Sequence, residues 1–528
     1  MTMSALAIRN LVISKGQRRL VDGVSLTLAK GRTLGIIGES GSGKSLTALA
    51  ITNLLPDGLS LAPNSSIHVD GMALPIHDAR AMRALRGAKI AMVFQDPMAC
   101  LNPFMRVGTQ IDEILAKGTL NRAQRTARIV DLLREVDLPD PATCARRYPH
   151  ELSGGQQQRV MLAMALAGEP DILIADEPTS ALDASVQAEI VALLARLQAR
   201  RQMAMLIITH DLAVAGALAH DLAVMRAGQI VEAGPTQAVL NAPQHPYTAR
   251  LVAARRTLVS ETSDASIEGR CLAEVVDVAV DYAGRGLFGR PFRAVQGASL
   301  RLERGRTLGL LGESGSGKST LASAVAGLRP LAEGRIRLLG HEMRPGGPAL
   351  PQALRRRCQV IFQNPHGALN PRLSIARALG EPLALAGIPT REHATRIVLA
   401  LRDVGLEAEH AARYPHQLSG GQRQRVCIAR ALLCEPDVLV CDEVVSALDM
   451  TVQVQILQLL KELQAKRGFA MLFIGHDIDV VRWISDEVLV MNKGRIVDRC
   501  AAHELAATAS RDAYTQRLMA ARLSPLAA

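Results

Sequence analysis

Aromatic side chains are scarce in this chain of 528 residues, which contains 1 Trp, 5 Tyr and 7 Phe. Aliphatic residues must therefore fill the cores, and any aromatic ring beside a ligand becomes informative. No run reaches the roughly 18 consecutive apolar residues that a membrane-spanning helix requires. The first ten residues lack the basic region, apolar core and cleavage site of a secretory signal. These absences predict a protein of the cytoplasm with no membrane span of its own.

Cysteine is also sparse, and the 8 cysteines form no CxxC pair. This spacing argues against a disulfide framework and against the common zinc motifs. The 61 Lys and Arg against 50 Asp and Glu give a net charge of +11, which could suit nucleic acid, a nucleotide or an anionic membrane surface. The sign of the charge alone does not distinguish among these three kinds of partner. The length predicts several domains.

An internal repeat organises the sequence. GlyGluSerGlySerGlyLysSer occupies positions 38–45 and recurs at 312–319. LeuSerGlyGlyGln at 152–156 recurs at 418–422, an offset of 266 residues that also relates AspGlu at 176–177 to AspGlu at 442–443. The motifs keep the same order in both copies. The chain therefore contains two homologous domains.

The composition between the repeats suggests where the domains divide. We predict a first domain over residues 1–255, a flexible polar linker over 256–270 and a second domain over 271–528. Short apolar runs such as 172–175 lack polar alternation, which is typical of parallel strands buried on both faces. Helical periodicity replaces these runs between Gln95 and Leu152. The sequence thus predicts an α/β fold with an inserted helical subdomain.

The repeated GxxxxGK[ST] motif is typical of a phosphate-binding loop. Its glycines let successive backbone N–H groups turn inward, and the N-terminus of the following helix favours an anion. We expect Lys44 and Lys318 to reach the β- and γ-phosphates, and Ser45 and Ser319 to reach Mg²⁺. The predicted phosphate-binding residues are Gly38, Glu39, Ser40, Gly41, Ser42, Gly43, Lys44 and Ser45 in the first loop, and Gly312, Glu313, Ser314, Gly315, Ser316, Gly317, Lys318, Ser319 and Thr320 in the second.

A second repeated motif places carboxylates after apolar runs. IleLeuIleAlaAspGlu and ValLeuValCysAspGlu put Asp176 and Asp442 at strand ends, where a carboxylate can hold Mg²⁺ through water. Glu177 and Glu443 then become candidate general bases for an attacking water. Taken alone, such a pair more often lies in a solvated loop, but the phosphate loop upstream favours the functional interpretation.

Together these motifs resemble those of the ATP-binding-cassette ATPases, over nearly the whole chain and twice. The resemblance also rests on Gln95, Gln363, SerAlaLeuAsp at 180–183 and 446–449, and the late histidines His210 and His476. It implies two tandem P-loop ATPase domains. Each would have a RecA-like α/β core, an antiparallel β subdomain and the inserted helical subdomain.

The same resemblance implies roles for individual residues. Ser153 would complete the site containing Lys318, and Ser419 the site containing Lys44. Gln95 and Gln363 would sense Mg²⁺ and the lytic water, while His210 and His476 would contact the γ-phosphate. The implied metal-associated residues are Ser45, Gln95, Asp176, Ser319, Gln363 and Asp442. The other implied nucleotide contacts are Gly154, Gly155, Gln156, Tyr282, Gly420, Gly421 and Gln422.

Two further segments narrow the resemblance to the ATPases of peptide, nickel and opine importers. They are PheGlnAspProMetAlaCysLeuAsnPro at 94–103 and HisProTyrThr at 245–248. This subfamily implies ATP hydrolysis with Mg²⁺ that drives uptake of a peptide-like solute through two membrane permeases. The permeases would contact the segments after Gln95 and Gln363, and a periplasmic solute-binding protein would act indirectly. The implied location is the cytoplasmic face of the bacterial inner membrane, with no nucleic acid bound.

Two other functions compete with this interpretation. A soluble tandem cassette ATPase acting on ribosomes or DNA is compatible with the +11 charge. The short polar linker and the absence of CxxC disfavour it. A nucleotide-binding regulator without turnover is disfavoured because the candidate bases and the late histidines are present in both halves.

The halves depart from the family pattern in the residues expected around adenine. Tyr282 precedes the second loop as an aromatic partner for adenine, but the first half has no aromatic residue before Phe94. Ile13 or an arginine near Arg18 must serve there, and we expect the first site to bind more weakly.

The second half also departs from the pattern in its later motifs. Val444 and Val445 follow AspGlu where the family has Pro and Thr, Gly475 replaces the Thr209 of the first half, and HisProTyrThr survives only as AlaTyrThr at 513–515. Many peptide-importer ATPases carry a cysteine-rich iron–sulfur segment after HisProTyrThr. Only Cys271 follows nearby, so we predict no cluster.

Overall fold

The structure is a computed structural model that describes residues 4–180, 182–259, 269–283, 291–446, 448–506 and 511–523. The chain divides into two compact units. Unit 1 comprises Met1–Ala253 and Ala521–Ala528, and unit 2 comprises Ala254–Ala520. No helix within the described ranges is both long enough and apolar enough to cross a membrane.

Unit 1 contains the first copy of each repeated motif. Its strands are β1 (Ser4–Lys15), β2 (Arg18–Ala29), β3 (Thr33–Ile37), β4 (Ser60–Leu61), β5 (Ser66–Val69), β6 (Met72–Ala73), β7 (Ile90–Val93), β8 (Ile172–Asp176), β9 (Ala204–Thr209), β10 (Asp221–Arg226) and β11 (Gln229–Pro235). Its helices are α1 (Lys44–Ile51), α2 (Ala79–Leu85), α3 (Pro97–Cys100), α4 (Val107–Leu115), α5 (Arg122–Glu135), α6 (Pro141–Cys144), α7 (Gly154–Leu166), α8 (Ala184–Arg201), α9 (Leu212–Leu218), α10 (Thr236–Asn241) and the first part of α11 (Pro246–Val259).

Unit 2 contains the second copy of each repeated motif. Its strands are β12 (Cys271–Tyr282), β13 (Phe292–Glu303), β14 (Thr307–Leu311), β15 (Glu333–Leu338), β16 (His341–Met343), β17 (Cys358–Ile361), β18 (Val438–Asp442), β19 (Ala470–Gly475), β20 (Glu487–Asn492) and β21 (Arg495–Ala501). Its helices are α12 (Lys318–Val325), α13 (Gln352–Arg357), α14 (Pro365–Ala368), α15 (Ile375–Leu385), α16 (Thr390–Asp403), α17 (Gly420–Leu432), α18 (Met450–Arg467), α19 (Ile478–Ile484) and α20 (Ala513–Ala520).

Two sheets form the frame of unit 1. The larger sheet has the strand order β11-β10-β3-β9-β8-β7, in which only the β10–β11 pair is antiparallel. Every residue of β3, β8 and β9 is buried, which explains why these segments are continuous apolar runs. The smaller sheet is antiparallel, with the order β2-β1-β5-β6 and β4 paired to β1.

The sheets of unit 2 have the same topology, except that no counterpart of β4 is present among its described residues. Its larger sheet runs β17-β18-β19-β14-β20-β21, and its antiparallel sheet runs β13-β12-β15-β16. Both units therefore combine a largely parallel α/β core with a separate antiparallel sheet. The predicted fold class is confirmed in both halves.

A helical subdomain interrupts each core between two neighbouring strands. Helices α3 to α7 lie between β7 and β8, and α14 to α17 lie between β17 and β18, with no strand among the described residues of either insertion. Helices α7 and α8 approach closely at Gly155, where a β-carbon would lie 2.5 Å from Val186 Cγ1. Gly421 meets Val452 at the same distance in unit 2. These glycines therefore have a packing role inside the LeuSerGlyGlyGln motif.

The segment predicted as a linker, 256–270, begins differently from expectation. Helix α11 continues to Val259, so residues 256–259 are helical. Arg255, one residue earlier, belongs to unit 2, where its Nη2 lies 2.7 Å from the buried carboxylate of Asp479. Residues 260–268 lie outside the described part of the chain. The proposed domain limits remain a prediction.

Candidate functional site

Four adjacent parallel strands deliver the site residues of unit 1 to one edge of the sheet. The phosphate loop follows β3, Gln95 follows β7, Asp176 ends β8, and His210 follows β9. Because carboxyl ends of parallel strands meet at the same edge, these motifs converge although they are distant in sequence. Strands β14, β17, β18 and β19 deliver the equivalent residues of unit 2, Gln363, Asp442 and His476 among them.

In both units the lysine of the phosphate loop is hydrogen-bonded to backbone carbonyls of the same loop. Lys44 Nζ donates to the carbonyl oxygens of Gly38 at 2.7 Å and Glu39 at 2.9 Å. Lys318 makes the matching contacts in unit 2, at 2.7 and 2.8 Å. A β-carbon on Gly38 would lie 2.1 Å from the carbonyl oxygen of Met225, so a side chain cannot fit there.

A hydroxyl and a carboxylate meet beside each loop. Ser45 Oγ lies 3.1 Å from Asp176 Oδ1, and Ser319 Oγ lies 2.9 Å from Asp442 Oδ1. These are hard oxygen ligands of the kind that Mg²⁺ prefers. The chemistry of the pair therefore fits the metal that the sequence predicted.

Burial raises the pKa of Asp176 to about 6, and the neighbouring charge of Glu177 adds to that shift. The hydrogen bond from Ser45 and the charge of Lys44 act in the opposite direction. Burial likewise raises the pKa of Asp442. A divalent cation beside such a carboxylate would restore its charged form.

Three side chains converge on the candidate base of unit 1, Glu177. Gln95 Nε2 and Ser180 Oγ donate to Glu177 Oε2 at 3.0 and 2.7 Å, and His210 Nδ1 lies 3.3 Å from Oε1. Burial acts to raise the pKa of Glu177, but the contacts with His210 and Ser180 and the charge of Lys44 outweigh it and leave the pKa below its ordinary value.

The glutamate backbone also has a defined conformation. Glu177 has a φ of 47° and Glu443 a φ of 49°, the left-handed region that non-glycine residues rarely adopt. Their N–H groups donate to the carbonyls of Ile208 at 2.8 Å and Ile474 at 3.1 Å. Each glutamate is therefore fixed to the neighbouring strand immediately after its own strand ends.

Glu443, the candidate base of unit 2, has two side-chain partners among the described residues, whereas Glu177 has three. Gln363 Nε2 donates to Glu443 Oε2 at 2.7 Å, and His476 Nδ1 lies 3.4 Å from the same oxygen. Ser446 Oγ donates instead to the backbone carbonyl of Glu443, at 3.0 Å. The hydrogen bond with His476 lowers the pKa of Glu443 despite its burial.

Packing explains why unit 2 has a glycine at position 475. A β-carbon on Gly475 would lie 2.7 Å from Val481 Cγ2. The corresponding residues of unit 1 are Thr209 and the smaller Ala215, and Thr209 Oγ1 accepts the N–H of Asp211 at 2.9 Å. The larger valine in unit 2 therefore occupies the space that the threonine would need. Val444 and Val445 are both buried.

The LeuSerGlyGlyGln motifs begin helices α7 and α17. Ser153 Oγ accepts the N–H of Gln156 at 3.4 Å, and Gln156 Oε1 accepts the N–H of Ser153 at 3.1 Å. Ser419 and Gln422 form the same reciprocal cap.

Tyr282 lies next to the second phosphate loop. Its hydroxyl is 3.2 Å from Thr320 Oγ1, and the Arg329 guanidinium lies 4.7 Å from the ring centroid. In unit 1 the strand register places the exposed Lys15 at the equivalent position. Ile13, one of the alternatives expected to replace Tyr282, is fully buried in the sheet, whereas Arg18 and Arg19 are exposed.

Two tyrosines that the sequence did not assign to the site contact the phosphate loops. The hydroxyl of Tyr247 accepts the N–H of Glu39 at 3.0 Å, and that of Tyr514 accepts the N–H of Glu313 at 3.1 Å. In the sequence, only the motifs HisProTyrThr and AlaTyrThr drew attention to these two tyrosines, and neither motif indicated a contact with the phosphate loop.

The segment after Gln95 presents both exposed and buried apolar residues. Met98 is 47% exposed and Phe104 is 89% exposed, whereas Leu101 is 3% exposed and packs in the core of unit 1. The burial of Leu101 assigns it to the packing of the segment, whereas Met98 and Phe104 are accessible to a partner.

Comparison with known proteins places this arrangement in a family. A family model described as "ABC transporter" matches residues 21–180 and 295–446. The chain is 42% identical to the peptidoglycan transport ATP-binding protein YejF of Agrobacterium fabrum (strain C58 / ATCC 33970), over 98% of this chain and 96% of that protein. It is 41% identical to the glutathione import ATP-binding protein GsiA of Escherichia coli (strain K12), over 98% and 89%. A dimeric structure of MJ0796, a bacterial ABC transporter cassette, matches with 28% identity and a TM-score of 0.40, covering 44% of this chain and 98% of that one.

The raised pKa of Asp176 predicts a pH-dependent stability. The folded chain binds this proton more tightly than the unfolded chain, so the carboxyl group costs stability as the pH rises from about 4 through about 6. In EDTA at pH 8, Asp176→Asn should therefore stabilise the protein by about 2 kcal/mol, and the difference should vanish near pH 4. Thermal denaturation of both proteins across this range checks it. Asp131→Asn, at an exposed position, is the control, and an equal gain at pH 4 and pH 8 would contradict the prediction.

Proposed function

Because this chain belongs to the ABC transporter family and is an ATPase, we propose that it is the ATP-hydrolysing subunit of an importer for a peptide-like solute. The observation that carries the proposal is similarity over 98% of the chain to two transport proteins, one named for glutathione import and one for peptidoglycan transport. Glutathione is a tripeptide, and peptidoglycan contains peptides, so both names fit a peptide-like solute.

Binding of ATP would use the phosphate loops. Lys44 would leave the carbonyls of Gly38 and Glu39 and move to the β- and γ-phosphates, as Lys318 would in unit 2. Ser45 with Asp176, and Ser319 with Asp442, would hold Mg²⁺, which supplies charge neutralisation at the phosphates. Ser153 and Ser419 would bind phosphate at the N-termini of α7 and α17.

The glutamates would act on the attacking water. The water oxygen forms a bond to the γ-phosphorus while the bond from that phosphorus to the bridging oxygen of ADP breaks. Glu177 or Glu443 accepts the proton that the water loses, and its lowered pKa keeps it ionised for this role. Gln95 and His210, which contact Glu177, would orient the water and the γ-phosphate.

If both sites hydrolyse ATP, each glutamate should be needed separately. Glu177→Gln and Glu443→Gln keep the shape of the side chain and remove the proton acceptor, so each should abolish hydrolysis at its own site and lower the total steady-state ATPase rate about twofold or more. The rate of phosphate release by the purified chain measures this. The exposed Glu113→Gln is the control. An unchanged rate in either single variant would show that its site is not hydrolytic.

The two sites should differ in their affinity for nucleotide, because Tyr282 offers a ring to adenine where unit 1 has Lys15. Stacking on a ring contributes about 1–3 kcal/mol by analogy with nucleic-acid bases, so the second site should bind ATP about tenfold or more tightly than the first. Calorimetric titration of the whole chain should resolve two affinities. Tyr282→Ala should merge them, whereas Tyr282→Phe should preserve both. Two equal affinities in the wild-type protein would contradict the proposal.

Coupling to membrane permeases would use the segments after Gln95 and Gln363. This finer proposal is supported by two apolar side chains, Met98 and Phe104, that are exposed on the first of these segments. We further propose that the permeases receive solute from a periplasmic binding protein and that this chain works at the cytoplasmic face of the inner membrane. The predictions that no iron–sulfur cluster and no nucleic acid take part are kept as part of this proposal.

Disrupting the exposed segment should separate transport from hydrolysis. Met98→Asp and Phe104→Asp should each reduce co-purification with the membrane permeases and abolish uptake of a labelled short peptide. The ATPase rate of the purified chain should change less than twofold, because both side chains face solvent. Met72→Asp, a change at an equally apolar exposed residue of the antiparallel sheet, is the control. Recovery of ribosomes or DNA in place of permeases, with normal uptake in a deletion strain, would favour the competing function.

A further inference from the structure

In each phosphate loop there is one peptide group whose carbonyl oxygen and N–H are both hydrogen-bonded to side chains. In unit 1 it joins Gly38 to Glu39: its carbonyl oxygen accepts Lys44 Nζ at 2.7 Å, and its N–H donates to the hydroxyl of Tyr247 at 3.0 Å. In unit 2 the peptide between Gly312 and Glu313 has the same two partners, Lys318 and Tyr514. Rotation of this peptide would break both hydrogen bonds.

Each tyrosine is itself held in place. Tyr247 is 2% exposed, and its own N–H donates to His245 Nδ1 at 3.1 Å. Glu232, on β11, accepts the N–H groups of Gln244 at 2.8 Å and His245 at 3.0 Å. The start of α11 is therefore tied to the edge of the sheet, and the hydroxyl reaches the loop from a fixed position.

Unit 2 achieves the same arrangement with different residues. Tyr514 is 7% exposed, and its N–H donates to Asp512 Oδ1 at 2.8 Å. Asp498, on β21, accepts the N–H of Asp512 at 3.2 Å. Asp512 thus performs the capping that His245 performs in unit 1. The loss of His and Pro from the motif leaves the tyrosine contact intact.

We propose that Tyr247 and Tyr514 are positioning residues that fix the entrance of the phosphate loop, so that the lysine is directed toward the phosphates. The proposal gives a function to HisProTyrThr and AlaTyrThr. The lysine must exchange a loop carbonyl for phosphate when nucleotide binds, and the tyrosine keeps that peptide from rotating during the exchange. Removal of the hydroxyl leaves a loop N–H without its buried acceptor, which favours other loop conformations. The inference rests on the proposed binding of ATP at the loops and not on solute import.

The test is titration of the whole chain with MgADP, together with ATPase kinetics. Tyr247→Phe and Tyr514→Phe keep the buried ring and remove only the hydroxyl. Each should weaken one of the two binding sites about tenfold, with unchanged stoichiometry. The KM for ATP should rise by a similar factor, while kcat at saturating ATP stays within about twofold. The matched controls, Tyr148→Phe and Tyr414→Phe, change tyrosines that lie against histidines outside the loops and should leave both affinities unchanged.

The possible results separate this inference from the function it rests on. Wild-type protein that binds no MgADP would overturn both. Normal wild-type binding, with affinities unchanged in Tyr247→Phe and Tyr514→Phe, would overturn the inference alone. A lower stoichiometry and a lower melting temperature with unchanged affinity and KM would also overturn it, because that pattern indicates a structural role only.

Discussion

The parallel pairing of β3, β9, β8 and β7 is the constraint on which the site of unit 1 depends. These strands come from distant parts of the chain, yet their backbone ladders bring their carboxyl ends together. A shift of one residue in any of them would turn its side chains to the opposite face and move its motif away from the others. Burial on both faces makes such a shift costly. The chemistry at the edge is therefore as well defined as the sheet beneath it, and unit 2 repeats the arrangement.

The fold class and the positions of the site residues could be predicted from the sequence because both leave local signals. Continuous apolar runs such as 172–175 mark buried parallel strands, and the glycine-rich loop demands an unusual backbone that few sequences provide. The repeat supplied a second, independent copy of each signal. The convergence of Gln95, Glu177 and His210 followed only from the family resemblance, and the structure brings these three side chains together.

Other features could not be predicted because they depend on side-chain directions fixed by distant packing. The residues around Tyr247 in the sequence do not indicate that its hydroxyl is hydrogen-bonded to a loop about 200 residues earlier in the chain. The burial of Leu101 beside the exposed Met98 depends on how α3 lies against the core. Ser180 and Ser446 occupy equivalent positions, yet one bonds a carboxylate and the other a carbonyl. Residue type specifies the capacity to bond, and tertiary structure selects the partner.

The exchange of Thr209 and Ala215 for Gly475 and Val481 couples two positions of unit 2 that are six residues apart. A side chain introduced at position 475 alone would place its β-carbon 2.7 Å from Val481 Cγ2, so β19 or α19 would have to move. A smaller residue at position 481, such as the alanine that unit 1 has at position 215, removes that clash. Substitutions at either position therefore have to be interpreted as a pair, because the cost of one depends on the residue at the other.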